Sequence, residues 1–222
     1  MASPAPLPGG GPDTSPLVAP VPAAAPPPPS EPVAPAPEAR PHWSLSQLSG
    51  RLVELTGSHT PRLSLATRLA VEAQQEGQPV AWVAVGGSCF HPPDAAASGL
   101  DLDALPVIAA PDPRAGARAA DHLLRSGAFG LVVLDLPPGP GLPLPAQARL
   151  AGLARHHRAA LLSLTRDARG PRQGPLVSLR AEGATLRLGE GRFRCRLTAS
   201  KDKRRGPGWA HEEVRRGPDG LC

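Results

Sequence analysis

From position 43 onward, apolar residues fall into short runs separated by glycine, proline or polar punctuation, and the spacing inside each run sets its expected element. Ser44 to Leu48 can make one helical turn. Arg51 to Thr56 (R-L-V-E-L-T) reads as a strand ending at Gly57. Leu63 to Glu76 places Leu65, Leu69 and Ala73 at helical spacing, and Gly77 stands where a helix would end. Val80 to Val85 (V-A-W-V-A-V) is almost continuously apolar and β-branched, the pattern of a strand covered on both faces. Leu105 to Ala109 reads as another. Asp112-Pro113 supplies a cap and a first-turn proline for a helix to Ser126, stopped by Gly127. Leu131 to Leu134 is a third apolar strand, closing on Asp135. A loop from Pro137 to Pro145, a helix from Ala146 to His157 and a strand from Ala159 to Leu164 follow.

After Gly174 the period changes. Leu176 to Arg180, Thr185 to Leu188 and Arg192 to Thr198 alternate polar and apolar residues, with Gly189-Glu190-Gly191 as the turn between the last two. The expected fold class is therefore α/β: a mostly parallel sheet with helices on both faces and a C-terminal antiparallel edge.

Composition divides the chain before position 42. Of 31 prolines, 15 fall in the first 41 residues, mixed with alanine and few charges. That stretch predicts an extended, disordered tail over 1–41, and one core domain over 42–222 with a basic segment at 192–222. Aromatic residues make up 3% and tyrosine is absent, which removes the material for a base-stacking platform. Cys89, Cys195 and Cys222 lie far apart without a C-x-x-C, so neither a disulfide framework nor a zinc site is expected. No run of eighteen apolar residues and no secretory signal occur, so a cytoplasmic protein without membrane contact is expected. The formal charge is +5, and residues 192–222, with nine Lys/Arg against four Asp/Glu, account for all of it. The two lysines of the chain, Lys201 and Lys203, are there.

In an open α/β sheet the ligand site lies beyond the carboxyl ends of the strands. The loop after the first strand reads Gly57-Ser58-His59-Thr60-Pro61-Arg62-Leu63-Ser64. Against the phosphate-binding pattern G-x-x-x-x-G-K-[ST], the first glycine and the final serine match, while Arg62 replaces the second glycine and Leu63 the lysine. L-V-V-L-D, residues 131 to 135, has the form of the strand that carries a magnesium-shell aspartate. Together with R-L-V-E-L-T-G, E-G-Q-P-V-A-W-V, G-L-D-L-D-A-L and L-L-R-S-G-A-F-G-L-V-V-L-D, these pieces resemble the core of the RecA recombinase superfamily. R-C-R-L-T-A-S-K-D-K, residues 194 to 203, resembles the recombinase strand leading to two nucleotide-capping lysines. Within the superfamily, A-A-D-H-L-L-R-S-G-A-F-G-L-V-V-L-D-L followed by G-L-P-L-P-A-Q-A-R-L looks most like the ImuA family, RecA-like accessory proteins of damage-induced (SOS) mutagenesis cassettes.

The resemblance implies a nucleotide site at Gly57, Arg62, Leu63, Ser64, Gly87 and Asp135, and the residues present there depart from its chemistry. Pro61 removes an amide donor, Leu63 removes the lysine, and the position of the catalytic glutamate falls on Gly87. Only Ser64 and Asp135 remain of the catalytic set, so no catalytic residue and no ATP or magnesium cofactor is expected. Asp135 reads as a buried carboxylate bonding backbone amides or Ser64, with Gly86-Gly87 as a turn.

For DNA or a partner, the candidates are Arg166, Arg169 and Arg172 in one loop, and Lys201, Lys203, Arg204 and Arg205 with Trp209 as an exposed indole beside them. A solvated basic turn is the plainer reading of that cluster. His156-His157 reads as a helix end. The resemblance implies a non-catalytic adaptor in translesion synthesis and DNA repair, whose partners are the Y-family polymerase homologue and error-prone polymerase of its cassette, or RecA, with single-stranded DNA as a further candidate. The competing class is a divergent DNA-dependent ATPase or recombination mediator.

Overall fold

A computed structural model describes residues 42–88, 90–139, 141–166, 173–189 and 191–216, with the side chains at 59 and 60 excepted. One eight-stranded sheet organises them, in the order β3-β2-β4-β5-β1-β6-β7-β8. Its strands are β1 (Arg51–Gly57), β2 (Val80–Val85), β3 (Val107–Ala110), β4 (Leu131–Asp135), β5 (Ala160–Leu164), β6 (Leu179–Gly189), β7 (Arg192–Asp202) and β8 (Ala210–Arg216). The first six run parallel, and β7 and β8 add on antiparallel. The expected fold class holds.

Helices α1 (Leu45–Leu48), α2 (His59–Gln75) and α3 (Pro92–Ala97) cover one face, and α4 (Pro113–Ser126) and α5 (Leu144–His157) the other. The alternation of β1 shows why two cores form. Val53 and Leu55 pack with Leu65, Leu69 and Ala73 of α2, whereas Leu52 faces Leu150 and Ala154 of α5. Strands β1, β4 and β5 are buried along their whole length, as continuous apolar runs require. Trp43 closes the first core, fully buried, with its indole N–H donated to the Leu65 carbonyl at 3.3 Å.

Local signals explain most element ends. Asp112 accepts the Ala115 amide at 2.7 Å as a side-chain cap, and Gly127 ends α4 at φ 69°. Gly127 also lies under the His157 ring, whose Nδ1 would stand 2.8 Å from any Cβ there. Three expectations need correction. The two strands expected at Leu176–Arg180 and Thr185–Leu188 are one, β6, because the parallel pairing with β1 and the antiparallel pairing with β7 overlap on the same backbone. Helix α3 and strand β8 were not expected. β8 (A-H-E-E-V-R-R) is charged on both parities, as an edge strand tolerates. Finally, α2 begins four residues earlier than its apolar spacing suggests.

Candidate functional site

The early start of α2 decides the geometry at the carboxyl ends of the strands. Ser58 alone separates β1 from α2. No second glycine holds the segment open as a loop, and Pro61 is tolerated in a first helical turn, so the helix winds back to His59. Gly57 permits the junction: its φ is +126°, and a Cβ there would stand 2.3 Å from the Gly183 carbonyl oxygen of β6. Arg62, Leu63 and Ser64 therefore project from helix rather than from a loop.

Arg62 is fully buried, and its Nη2 stands 3.9 Å from Oδ1 of the equally buried Asp135. The other carboxylate oxygen of Asp135 accepts a 2.6 Å hydrogen bond from Ser88. The partners of Asp135 are thus Ser88 and Arg62, where backbone amides or Ser64 were expected. Ser88 reaches it because Gly86 and Gly87, at φ 28° and 76°, turn the chain directly after β2, whose Ala84 is in register with Asp135. Arg166, after β5, donates to the Gly87 carbonyl. Leu63 is half-buried and packs on the first core. Gly57, Arg62, Gly87, Asp135 and Arg166 thus gather at one end of the sheet. Arg169 and Arg172 lie outside the described residues.

A second polar network beside it was not anticipated. Glu54, fully buried in β1, accepts from the Gln173 amide at 3.0 Å, from Thr165 at 3.4 Å and from Arg180 Nε at 2.5 Å. Gln173 Nε2 donates to Ser163 at 2.9 Å, and Arg180 also donates to the Gln173 carbonyl. The network joins β1, β5 and β6 through Thr165 and Gln173. Its sequence signal was the lone glutamate in the apolar run R-L-V-E-L-T.

The C-terminal basic cluster sits at the opposite end, near the amino ends of the parallel strands, because antiparallel β7 pairs Asp202 with Leu179. There Asp202 binds Arg51 at 2.5 Å, the Trp209 indole N–H at 3.1 Å and the Arg204 amide at 2.9 Å. Burial pushes the Asp202 carboxyl up, but the Arg204 amide, Arg51 and Trp209 outweigh it and hold the group below its ordinary value. Trp209 is consequently half-buried and packed on the first core, not the exposed anchor expected. Lys201 Nζ donates to the Pro175 carbonyl at 3.0 Å. Burial, then Lys203 and Arg180, lower its pKa. Lys203, Arg204 and Arg205 are exposed.

Cys195 is a buried free thiol, whose pKa burial raises. Cys89 and Cys222 lie outside the described residues. Among the described residues no cluster of three or more His, Cys, Asp or Glu could hold a metal ion, and no helix is long and apolar enough to cross a membrane.

Comparison with known proteins places this geometry. The model of the MT3502 N-terminal domain matches residues 39–170, more than half of the chain. The chain belongs to that family. Protein RecA of Fusobacterium nucleatum is 38% identical over 88 residues, which are 39% of this chain and 23% of that protein. The chain thus spans under a quarter of that relative's length. The crystal structure of the RadB recombinase superposes with a TM-score of 0.57 at 17% identity, covering 74% of this chain and 87% of that one. That likeness establishes the fold.

Proposed function

We propose that the protein is a non-catalytic accessory factor of damage-induced translesion synthesis, a RecA-like core that works by protein contact with the polymerases of a mutagenesis cassette or with the recombinase. The observation that carries the non-catalytic part is Arg62. Phosphate binding at a strand-to-helix junction needs free amides at the helix start, a lysine and an aspartate open to magnesium. Here the helix start has lost the Pro61 amide, Leu63 packs on the core, and the buried Arg62 guanidinium stands beside Asp135, whose other oxygen is held by Ser88. A guanidinium at that place neutralises the carboxylate that magnesium would otherwise meet.

Protein contact is supported by the far end of the antiparallel arm. Leu186 of β6 and Val214 of β8 flank Arg194 of β7 in one row of the register, on a face where Leu186 is 58% and Val214 57% exposed. Apolar side chains interleaved with arginine have the composition of a protein interface.

Phosphate release measured with ATP, magnesium and single-stranded DNA tests the reading. No hydrolysis above a no-protein blank is the expected result. DNA-stimulated turnover would establish the alternative, a divergent DNA-dependent ATPase or recombination mediator. Pull-down of the cassette polymerase homologue by the wild type, weakened by Leu186→Asp with Val214→Asp, tests the contact itself.

A further inference from the structure

Two segments far apart in sequence meet at the amino ends of the parallel strands. One is the end of α5, where Arg155 and the cap residue Arg158 are exposed. The other is the β7–β8 turn, with exposed Lys203, Arg204 and Arg205. Ser49 and Gly50 stitch them together. Ser49 Oγ donates to the Arg158 carbonyl at 2.7 Å, and the Ser49 carbonyl accepts from Arg204 Nη2 at 3.0 Å. A Cβ on Gly50 would stand 3.8 Å from both the Arg155 Cα and Arg204 Nη2. The carboxylate bonded into this end, Asp202, is 1% exposed and already neutralised by Arg51. Among the described residues, what faces solvent across the junction is cationic.

Three features bear on what such a surface meets. Among the described residues it has no apolar centre: the exposed large hydrophobic residues are Val107, Leu144, Leu186, Leu188 and Val214, of which only Leu144 belongs to α5, at the start of the helix and not at its end, and Trp209 is turned inward to Asp202. A protein partner needs an apolar or aromatic anchor, whereas a phosphate backbone needs several cations and no anchor. Secondly, Arg158 is the one described residue other than glycine with a positive φ, 57°. Glycine is the residue favoured at that helix-ending position, so an arginine there places a cation at some expense to the backbone. Thirdly, the carbonyl end of α5 attracts cations by itself. That accounts for Arg155 and Arg158 singly, but not for their convergence with Lys203, Arg204 and Arg205.

We propose that Arg155, Arg158, Lys203, Arg204 and Arg205 form one surface that binds the phosphodiester backbone of DNA without reading sequence. It lies at the end of the sheet opposite Arg62, Asp135 and Arg166. The proposal extends the adaptor reading by giving it a nucleic-acid face separate from the Leu186–Val214 arm, and it holds or fails independently of ATP hydrolysis and polymerase capture.

Fluorescence anisotropy of the full chain with a labelled oligonucleotide, single-stranded and as a duplex, tests it. If all five cations meet phosphates, raising salt from about 50 to about 200 mM should weaken single-strand binding about a hundredfold and duplex binding somewhat more. The double variant Arg155→Ala with Arg158→Gly should lower the salt slope for single strands by about 1.4, as should Lys203→Ala with Arg205→Ala. Arg204 is kept, because its guanidinium holds the Ser49 carbonyl. Arg158→Gly should leave the melting temperature unchanged or higher, which separates lost binding from lost fold. Arg114→Ala, exposed at the start of α4 beyond the carboxyl end of β3, should bind as wild type. The relative affinity for the two forms of DNA identifies which is the ligand, and either preference supports the proposal. It is overturned if the wild type shows no binding at low salt, if both double variants bind as wild type, or if an acidic polypeptide is retained and DNA is not.

Discussion

Asp202→Asn should be among the most destabilising single changes outside the apolar core. The carboxylate joins three parts of the chain: Arg51 at the start of β1, Trp209 before β8, and the Arg204 amide in the turn between β7 and β8. Side-chain exposures of 3% for Arg51 and 1% for Asp202 put this pair among buried ones. Removing one member of such a pair strands the other charge, at about 3–5 kcal/mol. Arg51 keeps hydrogen bonds to the Ser178 carbonyl and hydroxyl, so the lower end, about 3 kcal/mol, is the expected loss. In a domain of this size that corresponds to about 6–12 °C in melting temperature. Urea unfolding followed by circular dichroism gives the free energy directly. The double variant Arg51→Met with Asp202→Asn should lose less than the sum of the two singles, because no stranded charge remains.

The pH dependence follows with a definite sign. The folded carboxyl titrates below its unfolded value of about 4, so its contribution is complete above about pH 4 and lost as pH falls through the lower folded value. The gap between wild type and Asp202→Asn should therefore be constant from neutral pH to about pH 5 and close in stronger acid. A loss under about 1 kcal/mol, or a gap that opens towards acid, would refute the reasoning.

Three further outcomes are expected. Gly57→Ala should destabilise the fold by at least about 3 kcal/mol in urea titration, since the new Cβ overlaps the Gly183 carbonyl and the backbone is left-handed there. Leu63→Lys should show no single-turnover ATP hydrolysis above wild type, because Arg62 still faces Asp135 and Gly87 has no side chain to orient water; measurable turnover would mean that the helix start opens. Deletion of residues 1–41 should leave the melting temperature within about 2 °C, because so proline-rich a segment has little apolar surface to contribute.

The apolar runs V-A-W-V-A-V, L-V-V-L-D and A-L-L-S-L were legible as buried strands, and Asp112-Pro113 with Gly127 as the two ends of a helix, because each is set by interactions within a few residues. That Pro61 has no amide hydrogen, Leu63 no charge and Gly87 no side chain was equally legible, because each is a covalent fact. The helix boundary was not. Apolar spacing marks only the face of α2 that meets the sheet, and the turn from His59 to Arg62 is held by the closure of β1 onto β6 at Gly57 and Gly183.

The amino-acid sequence by itself determined the α/β class, which rests on local pattern and composition. Tertiary structure alone decided the partners. Ser88 rather than Ser64 meets Asp135, Glu54 gathers Gln173 and Arg180, Trp209 turns inward to Asp202, and Arg204 crosses to Ser49 beside Arg155 and Arg158. The physical reason is common to the two fully buried carboxylates, Asp135 and Glu54. A buried polar group is satisfied by whichever donor the strand order and register bring within about 3 Å, and that order pairs strands remote in sequence, so no local pattern encodes the choice.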